Sequence, residues 1–208
     1  MSRSMPLLGL ILLGTGCAST GAGPRAEEPA YSLGQSAGEP LRVQGRYVTG
    51  PSSSLVISGN AMRGRFLDTP VALSWDWQVL EGALGGQGTR MELAEGDDTR
   101  FWGSFGGMAV DITVDSRRLY GRVGGCAYAL QRDEAGFVGQ RSCAGLLDDG
   151  IQVDFPSDLL ERPLGERTAL MSLALVNVTR NYSPYASLAL FTRNRSATQR
   201  CGGVDVQP

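Results

Sequence analysis

The chain has 208 residues, enough for one domain or two small ones, and its charged residues are 19 arginines and 21 acids, with no lysine and no histidine. The missing side chains exclude Ser-His-Asp and Cys-His nucleophile systems, histidine-ligated zinc, the P-loop and lysine Schiff bases. A net charge of −2 without a basic stripe argues against nucleic acid, whose phosphates need clustered cations. The 29 glycines favour a turn-rich, mainly β fold.

The N-terminus has the organisation of a signal peptide. Arg3 supplies a positive charge, residues 7–13 form an apolar run, and small residues follow up to Cys17. The run has the length of a signal-peptide core and is far shorter than the ~20 residues that span a bilayer. The stretch Leu12-Leu13-Gly14-Thr15-Gly16-Cys17 resembles the lipobox of bacterial lipoproteins, with Gly14 standing where that family has leucine.

This resemblance implies that residues 1–16 are removed, that Cys17 carries lipid, and that the protein is sorted to the outer membrane, since Ala18 follows the cysteine. Three acyl chains, palmitate among them, would anchor it firmly, because one chain alone binds only marginally. Cleavage near Gly16 or Ala18 without lipid is one alternative, and a cytosolic protein with an apolar N-terminus is another. Residues 17–40, rich in small residues and proline, are predicted to form a flexible tether.

Glycines recur at a step of eighteen residues through the middle of the chain. One series is Gly85, Gly103, Gly121 and Gly139, and a second is Gly88, Gly106 and Gly124. Glycine pairs supply the positive φ angles of tight hairpin turns, and residues 110–114 alternate between apolar and polar as a half-buried strand does. The repeat core, residues 83–150, therefore predicts an antiparallel meander of about eight strands, arranged as a sandwich, a barrel or an open sheet. It resembles the glycine-rich hairpin repeats of uncharacterised bacterial secreted proteins; one bent strand per unit is the alternative.

Strands are also predicted outside the repeat core. The segments concerned are residues 41–48, 55–58, 70–80 and 187–192. Residues 157–178 have apolar side chains at helical spacing and predict a short helical element, with Asp158 as its N-cap. The folded domain is thus predicted to cover residues 41–192, followed by a polar tail over 193–208.

The cysteines predict one disulfide. If Cys17 carries lipid, three cysteines remain, and Cys126 and Cys143 lie 17 residues apart, close to one repeat. Neighbouring hairpins would bring these two together, and disulfides form outside the inner membrane. We therefore predict a Cys126–Cys143 disulfide; a bond from Cys201 to one of them and three free thiols are the alternatives. A catalytic thiolate is not expected, because no histidine or lysine is present to lower its pKa.

Tryptophans are the candidate binding residues. Trp75 and Trp77 alternate along one predicted strand, so they could form a sugar-stacking platform, although two large side chains on a strand usually belong to the core. Trp102 is predicted to lie in the core.

Carboxylates are the general acid–base groups that the composition leaves. The pairs Asp97-Asp98 and Asp148-Asp149 lie beside glycine and are predicted to be solvated turn residues, not the catalytic pair of a hydrolase. We expect no catalytic residue, no metal site and no cofactor. The sequence thus predicts a lipid-anchored, non-enzymatic accessory or structural component of an outer-membrane or cell-envelope assembly, contacting a protein partner. The alternative is a glycan- or peptidoglycan-binding module that uses Trp75 and Trp77.

Overall fold

The computed structural model describes residues 30–33 and 38–180. They form a mainly β domain with a helix on its C-terminal side, as predicted. The signal peptide, Cys17, most of the tether, the strand predicted at 187–192, the polar tail and Cys201 lie outside the described residues. Within the range predicted as tether, residues 30–33 form a strand, and Leu33 is buried.

Fourteen strands form one antiparallel sheet in which every strand pairs with its neighbours in sequence. The strands are β1 (Ala30–Leu33), β2 (Leu41–Gln44), β3 (Tyr47–Gly50), β4 (Ser53–Ser58), β5 (Ala61–Phe66), β6 (Thr69–Trp75), β7 (Val79–Leu84), β8 (Gln87–Glu95), β9 (Thr99–Phe105), β10 (Met108–Val114), β11 (Arg118–Val123), β12 (Cys126–Arg132), β13 (Phe137–Cys143) and β14 (Leu146–Val153). The helices are α1 (Ser157–Leu160) and α2 (Leu164–Arg180). The eight strands expected for the repeat core are β7 to β14.

The glycine repeat has a different register from the one expected. Glycines lie in the middle of every second strand from β5 to β13: Gly64, Gly82, Gly103, Gly121 and Gly139. Their step is 18 residues except between Gly82 and Gly103, because β8 and β9 are together three residues longer than β10 and β11. The prediction that Gly85 belongs to the same series as Gly103 is therefore wrong, since Gly85 lies in the β7–β8 turn.

The mid-strand glycines let adjacent backbones approach closely. At Gly121, where φ is 137°, a Cβ atom would meet the carbonyl oxygen of Asp111 and lie 2.9 Å from the Cα of Ile112. On β10, Gly103 is opposite Val110 and Gly121 is opposite Ile112, so the glycines follow a diagonal across the sheet. A diagonal row of glycines allows a tilted sheet to curve.

The curved sheet surrounds α2. Twelve of the 17 residues of this helix are buried, and it contacts β1, β6, β7, β8 and β11. A helix that is buried on all sides needs a surrounding layer, and the sheet supplies one by curving until it nearly closes. The predicted helical element is thus confirmed, but Asp158 is not its N-cap. Pro156 occupies the N-cap position of α1 with no side-chain capping hydrogen bond, and Asp158 lies in the first turn. Among the described helices, none is both long and apolar enough to cross a membrane.

The sheet has two ends, which we call the entry end and the exit end. At the entry end α2 begins, with Gly165 against Trp75, the last residue of β6. α2 ends at the exit end, where the side chain of Asn177 forms a hydrogen bond with Glu39. Ala30 pairs with Gln44, beside the entry-end turn that joins β2 to β3.

Candidate functional site

A disulfide joins Cys126 of β12 to Cys143 of β13, as predicted. The two residues are directly opposite in the strand register, with their Cα atoms 4.2 Å apart, and both side chains are buried. Successive hairpins bring them together because each hairpin takes up about one repeat of sequence. The bond fixes β12 and β13 where these strands reach the exit end.

A buried arginine lies close to this disulfide. Arg141 is 2% exposed, and its guanidinium donates from Nη1 to the carbonyl of Val178 at 3.1 Å and from Nη2 to Oδ2 of Asp148 at 2.7 Å. A cation suits the C-terminal end of a helix, where carbonyl groups lack helical partners. The hydroxyl oxygens of Tyr128 and Thr179 are 2.7 Å apart beside it, and burial raises the pKa of Tyr128. This cluster fastens the end of α2 to three strands.

Trp75 and Trp77 do not share a strand face. Trp75 is 7% exposed and packs in the core against Gly165, where there is no room for a larger side chain. Trp77 is 74% exposed and lies in the turn between β6 and β7. The strand predicted over residues 70–80 is therefore interrupted at residues 76–78.

The side chain of Asp76 stabilises the turn in which Trp77 lies. Its Oδ1 accepts hydrogen bonds from the backbone N–H groups of Gln78 and Val79, both at 2.7 Å. These donors lower the pKa of Asp76, because they stabilise the charged carboxylate. An aspartate that bonds to the backbone two residues further on is a turn signal, and it was present in the sequence.

Trp77 borders an open groove of about 600 Å³ at the entry end. The groove has polar side chains from four residues: Asn60, Asp76, Gln78 and Glu95. Glu95 accepts from Nη2 of Arg167, which also donates to Thr99 at 2.9 Å. An indole ring can stack on a sugar ring, and the neighbouring amides and carboxylates can form hydrogen bonds with the sugar hydroxyls. The sequence pattern indicates Trp77 but not Asn60 or Glu95, because these two residues come from other hairpins.

Trp102 is not in the core, and this prediction is wrong. Its side chain is half-buried, while its neighbour Phe101 points inward and is fully buried. The guanidinium of Arg100 lies 5.1 Å from the Trp102 ring and donates to both carboxylate oxygens of Asp111, at 3.0 and 3.1 Å. The ring therefore belongs to a stacked cluster at β9 and β10 on the solvent-facing side of the curved sheet, which we call the outer wall.

The two aspartate pairs have different environments. Asp97 and Asp98 are exposed in the β8–β9 turn, as predicted. Asp148 and Asp149 lie within β14 and not in a turn, and the ion pair of Asp148 with Arg141 is half-buried. In the described ranges, no group of three or more cysteine, aspartate or glutamate side chains is placed to hold a metal ion.

The described residues define a class of domain: one antiparallel meander curved around a buried helix, with a disulfide between adjacent strands. No protein-family model, curated protein or solved structure matches the chain. Its function is therefore inferred from the disulfide, the filled interior and the surface grooves.

Proposed function

We propose that this protein is a lipid-anchored, non-enzymatic component of the bacterial cell envelope, held in the outer membrane by Cys17. The observation that carries the proposal is the buried disulfide between Cys126 and Cys143. Disulfides persist in oxidising compartments and are rare in the cytosol, so this bond supports export. The lipobox-like sequence that ends at Cys17 supports export independently of the disulfide.

The interior of the sheet supports an accessory or structural role. A strongly curved sheet can hold a ligand inside, but here α2 occupies that space with buried side chains along most of its length. Contacts at both ends of the helix, from Trp75 at the entry end and Arg141 near the exit end, fix it in place. The domain is then a rigid body whose outer wall and turns contact a protein partner.

The short sequence between Cys17 and β1 predicts how the domain is oriented relative to the membrane. Ala30 begins β1 at the entry end and lies 13 residues after Cys17. The composition of these residues predicts a flexible tether, whose mean extension would be roughly 20 Å. The entry end, with Trp77 and its groove, would therefore lie next to the lipid surface, and the exit end would point away from it.

Intact mass and membrane fractionation test this function. The native protein should have the mass of residues 17–208 plus acyl chains and should sediment with outer membranes. Cys17→Ala should carry no lipid and leave the membrane fraction. Cys201→Ala is the matched control, because it removes one thiol and should keep both lipid and location. An unmodified, soluble native protein would overturn the proposal.

Glycan binding is a second candidate, favoured by the 74% exposure of Trp77 beside the 600 Å³ groove. An exposed tryptophan supplies a large apolar face for a sugar ring, and the surrounding side chains supply hydrogen bonds. A soluble N-acetylglucosamine oligosaccharide should then quench the tryptophan emission. Trp77→Ala should abolish the response, and Trp102→Phe, which changes an outer-wall tryptophan elsewhere, should keep it. An unchanged spectrum of the native protein would exclude binding of this sugar at Trp77.

A further inference from the structure

A second groove, on the outer wall at the entry end, is lined almost entirely by arginine. It has a volume of about 580 Å³, and its lining residues are Arg117, Arg118, Gln131 and Arg132. They come from the β10–β11 turn and the facing ends of β11 and β12. The backbone N–H of Arg132 donates to the carbonyl of Arg117 at 2.6 Å, which fixes the two as neighbours. Three cations thus line one groove in a chain whose net charge is −2.

Two of these arginines are held in position by their surroundings. The Arg132 guanidinium lies 5.0 Å from the Phe137 ring and donates to the carbonyl of Phe155 at 3.3 Å. The Arg118 guanidinium lies 5.7 Å from the Tyr120 ring. Stacking on an aromatic face restricts a guanidinium without neutralising it, so Arg132 keeps its full charge, whereas Arg118 is also ion-paired with Asp115 at 3.3 Å.

Of the three guanidinium groups, only that of Arg118 is ion-paired with a described carboxylate, that of Asp115. Oδ1 of Asp115 accepts hydrogen bonds from the backbone N–H groups of Arg117 and Arg118, at 2.6 and 2.7 Å. Oδ2 of Asp115 accepts a hydrogen bond from Nε of Arg118 at 3.3 Å. Asp133 and Glu134 lie in the adjacent turn and are not among the groove's lining residues. The exposed side chain of Arg117 has no hydrogen bond or ion pair with any described residue.

We propose that this groove binds the phosphate group of a small envelope ligand, either a sugar phosphate or a phospholipid headgroup. The planar guanidinium matches phosphate oxygens with paired N–H donors. Arg117 and Arg132, which form no ion pair with a described residue, match the double charge of a phosphate monoester better than the single charge of a carboxylate. The Gln131 amide provides hydrogen bonds for a neighbouring hydroxyl or ester oxygen. The inference goes beyond the proposed function, and it does not depend on a lipid at Cys17.

Isothermal titration of the full protein in detergent micelles at low salt tests the site. Glucose 6-phosphate is compared with glucose, and short-chain phosphatidic acid with short-chain phosphatidylcholine. Binding of at least one phosphate monoester is expected, and it should weaken as salt is added. Which of the two binds identifies the source of the phosphate. Arg117→Ala should lower the affinity at least about tenfold, because it removes a charge-assisted contact.

Arg63→Ala is the matched control, since Arg63 is an exposed arginine of β5 that also lacks a hydrogen bond or ion pair with the described residues. It should bind like the native protein. Circular dichroism checks that both variants are folded. Absence of phosphate binding, equal binding of the neutral probes, or equal losses in the two variants would overturn the inference. None of these outcomes depends on whether Cys17 is acylated, which intact mass reports separately.

Discussion

The side-chain amide of Asn177 pairs with both backbone groups of Glu39. Nδ2 donates to the Glu39 carbonyl at 2.7 Å, and Oδ1 accepts from the Glu39 N–H at 3.2 Å. Asn177 is fully buried in α2, and the carboxylate of Glu39 is in turn bonded to Ser52. One helical side chain therefore satisfies the backbone of the segment before β2, as a neighbouring strand would.

Asn177→Ala should lower the free energy of unfolding by about 2–3 kcal/mol, because the Glu39 N–H and carbonyl would lose their partners while remaining partly buried. Urea denaturation followed by tryptophan fluorescence measures the change. Asn60→Ala is the control, since Asn60 is an exposed turn residue, and its effect should stay within about 0.5 kcal/mol. Equal stabilities of Asn177→Ala and the native protein would show that the amide pair contributes nothing.

Gly121→Ala should destabilise the protein by about 3 kcal/mol or prevent folding, because an alanine would combine an unfavourable positive φ with a collision against Asp111. Gly125→Ala is the matched control. A Cβ at Gly125 has no atom within 4 Å, and its φ is not in the positive region. Thermal unfolding of both variants compares the positions, and similar melting temperatures would contradict the role given to the mid-strand glycines.

The disulfide should contribute about 3 kcal/mol, the loop-closure value for a separation of 17 residues. Replacing Cys126 and Cys143 together by alanine should lower the urea midpoint accordingly. A reductant should lower the midpoint of the native protein toward that of the double variant and leave the variant itself unchanged. A native protein that is insensitive to a strong reductant in the unfolded state would argue against the bond.

Tyr128 should make stability depend on alkaline pH. Burial raises its pKa above the ordinary value of 10.0, so the folded protein keeps the phenol proton where the unfolded chain has released it. Its contribution is complete below about pH 10 and is lost as the pH rises through the folded-state pKa. Tyr128→Phe should therefore show a shallower fall in the free energy of unfolding above about pH 10.

Some alkaline dependence should remain in Tyr128→Phe, because burial also raises the pKa of Tyr31. Tyr120→Phe, at a tyrosine that is 41% exposed, controls for the removal of a surface hydroxyl. Urea denaturation at several pH values gives the slopes. Identical slopes for Tyr128→Phe and the native protein would contradict this assignment.

The hairpins could be predicted because their signals are local. Glycine pairs mark the turns at residues 106–107 and 124–125, and alternating residues mark the strands that follow. The interruption of residues 70–80 could not be found in the same way. The apolar alternation of the sequence continues through the turn, although the buried positions change from odd numbers in β6 to even numbers in β7. Trp75 and Trp77 therefore look equivalent in the sequence, although one is buried and the other exposed.

The placement of the helix and the grooves could not be predicted, because each depends on contacts between distant segments. Apolar spacing predicted a helix near residues 157–178, but its burial on all sides results from the curvature of the whole sheet. The arginine groove combines the turn residue Arg117 with Arg132 at the end of β12, the second strand after that turn. Neither residue has a distinguishing local motif.

The position of α2 also sets the order in which the domain can mature. The inner faces of the strands are synthesised first, but the surface that covers them is the last element that the structure describes. A chain that stops at residue 163 has all fourteen strands but lacks α2, the helix against which their inner faces pack. Native packing must therefore await the emergence of residues 164–180, and until then the apolar faces of the hairpins stay accessible to chaperones, to proteases and to one another.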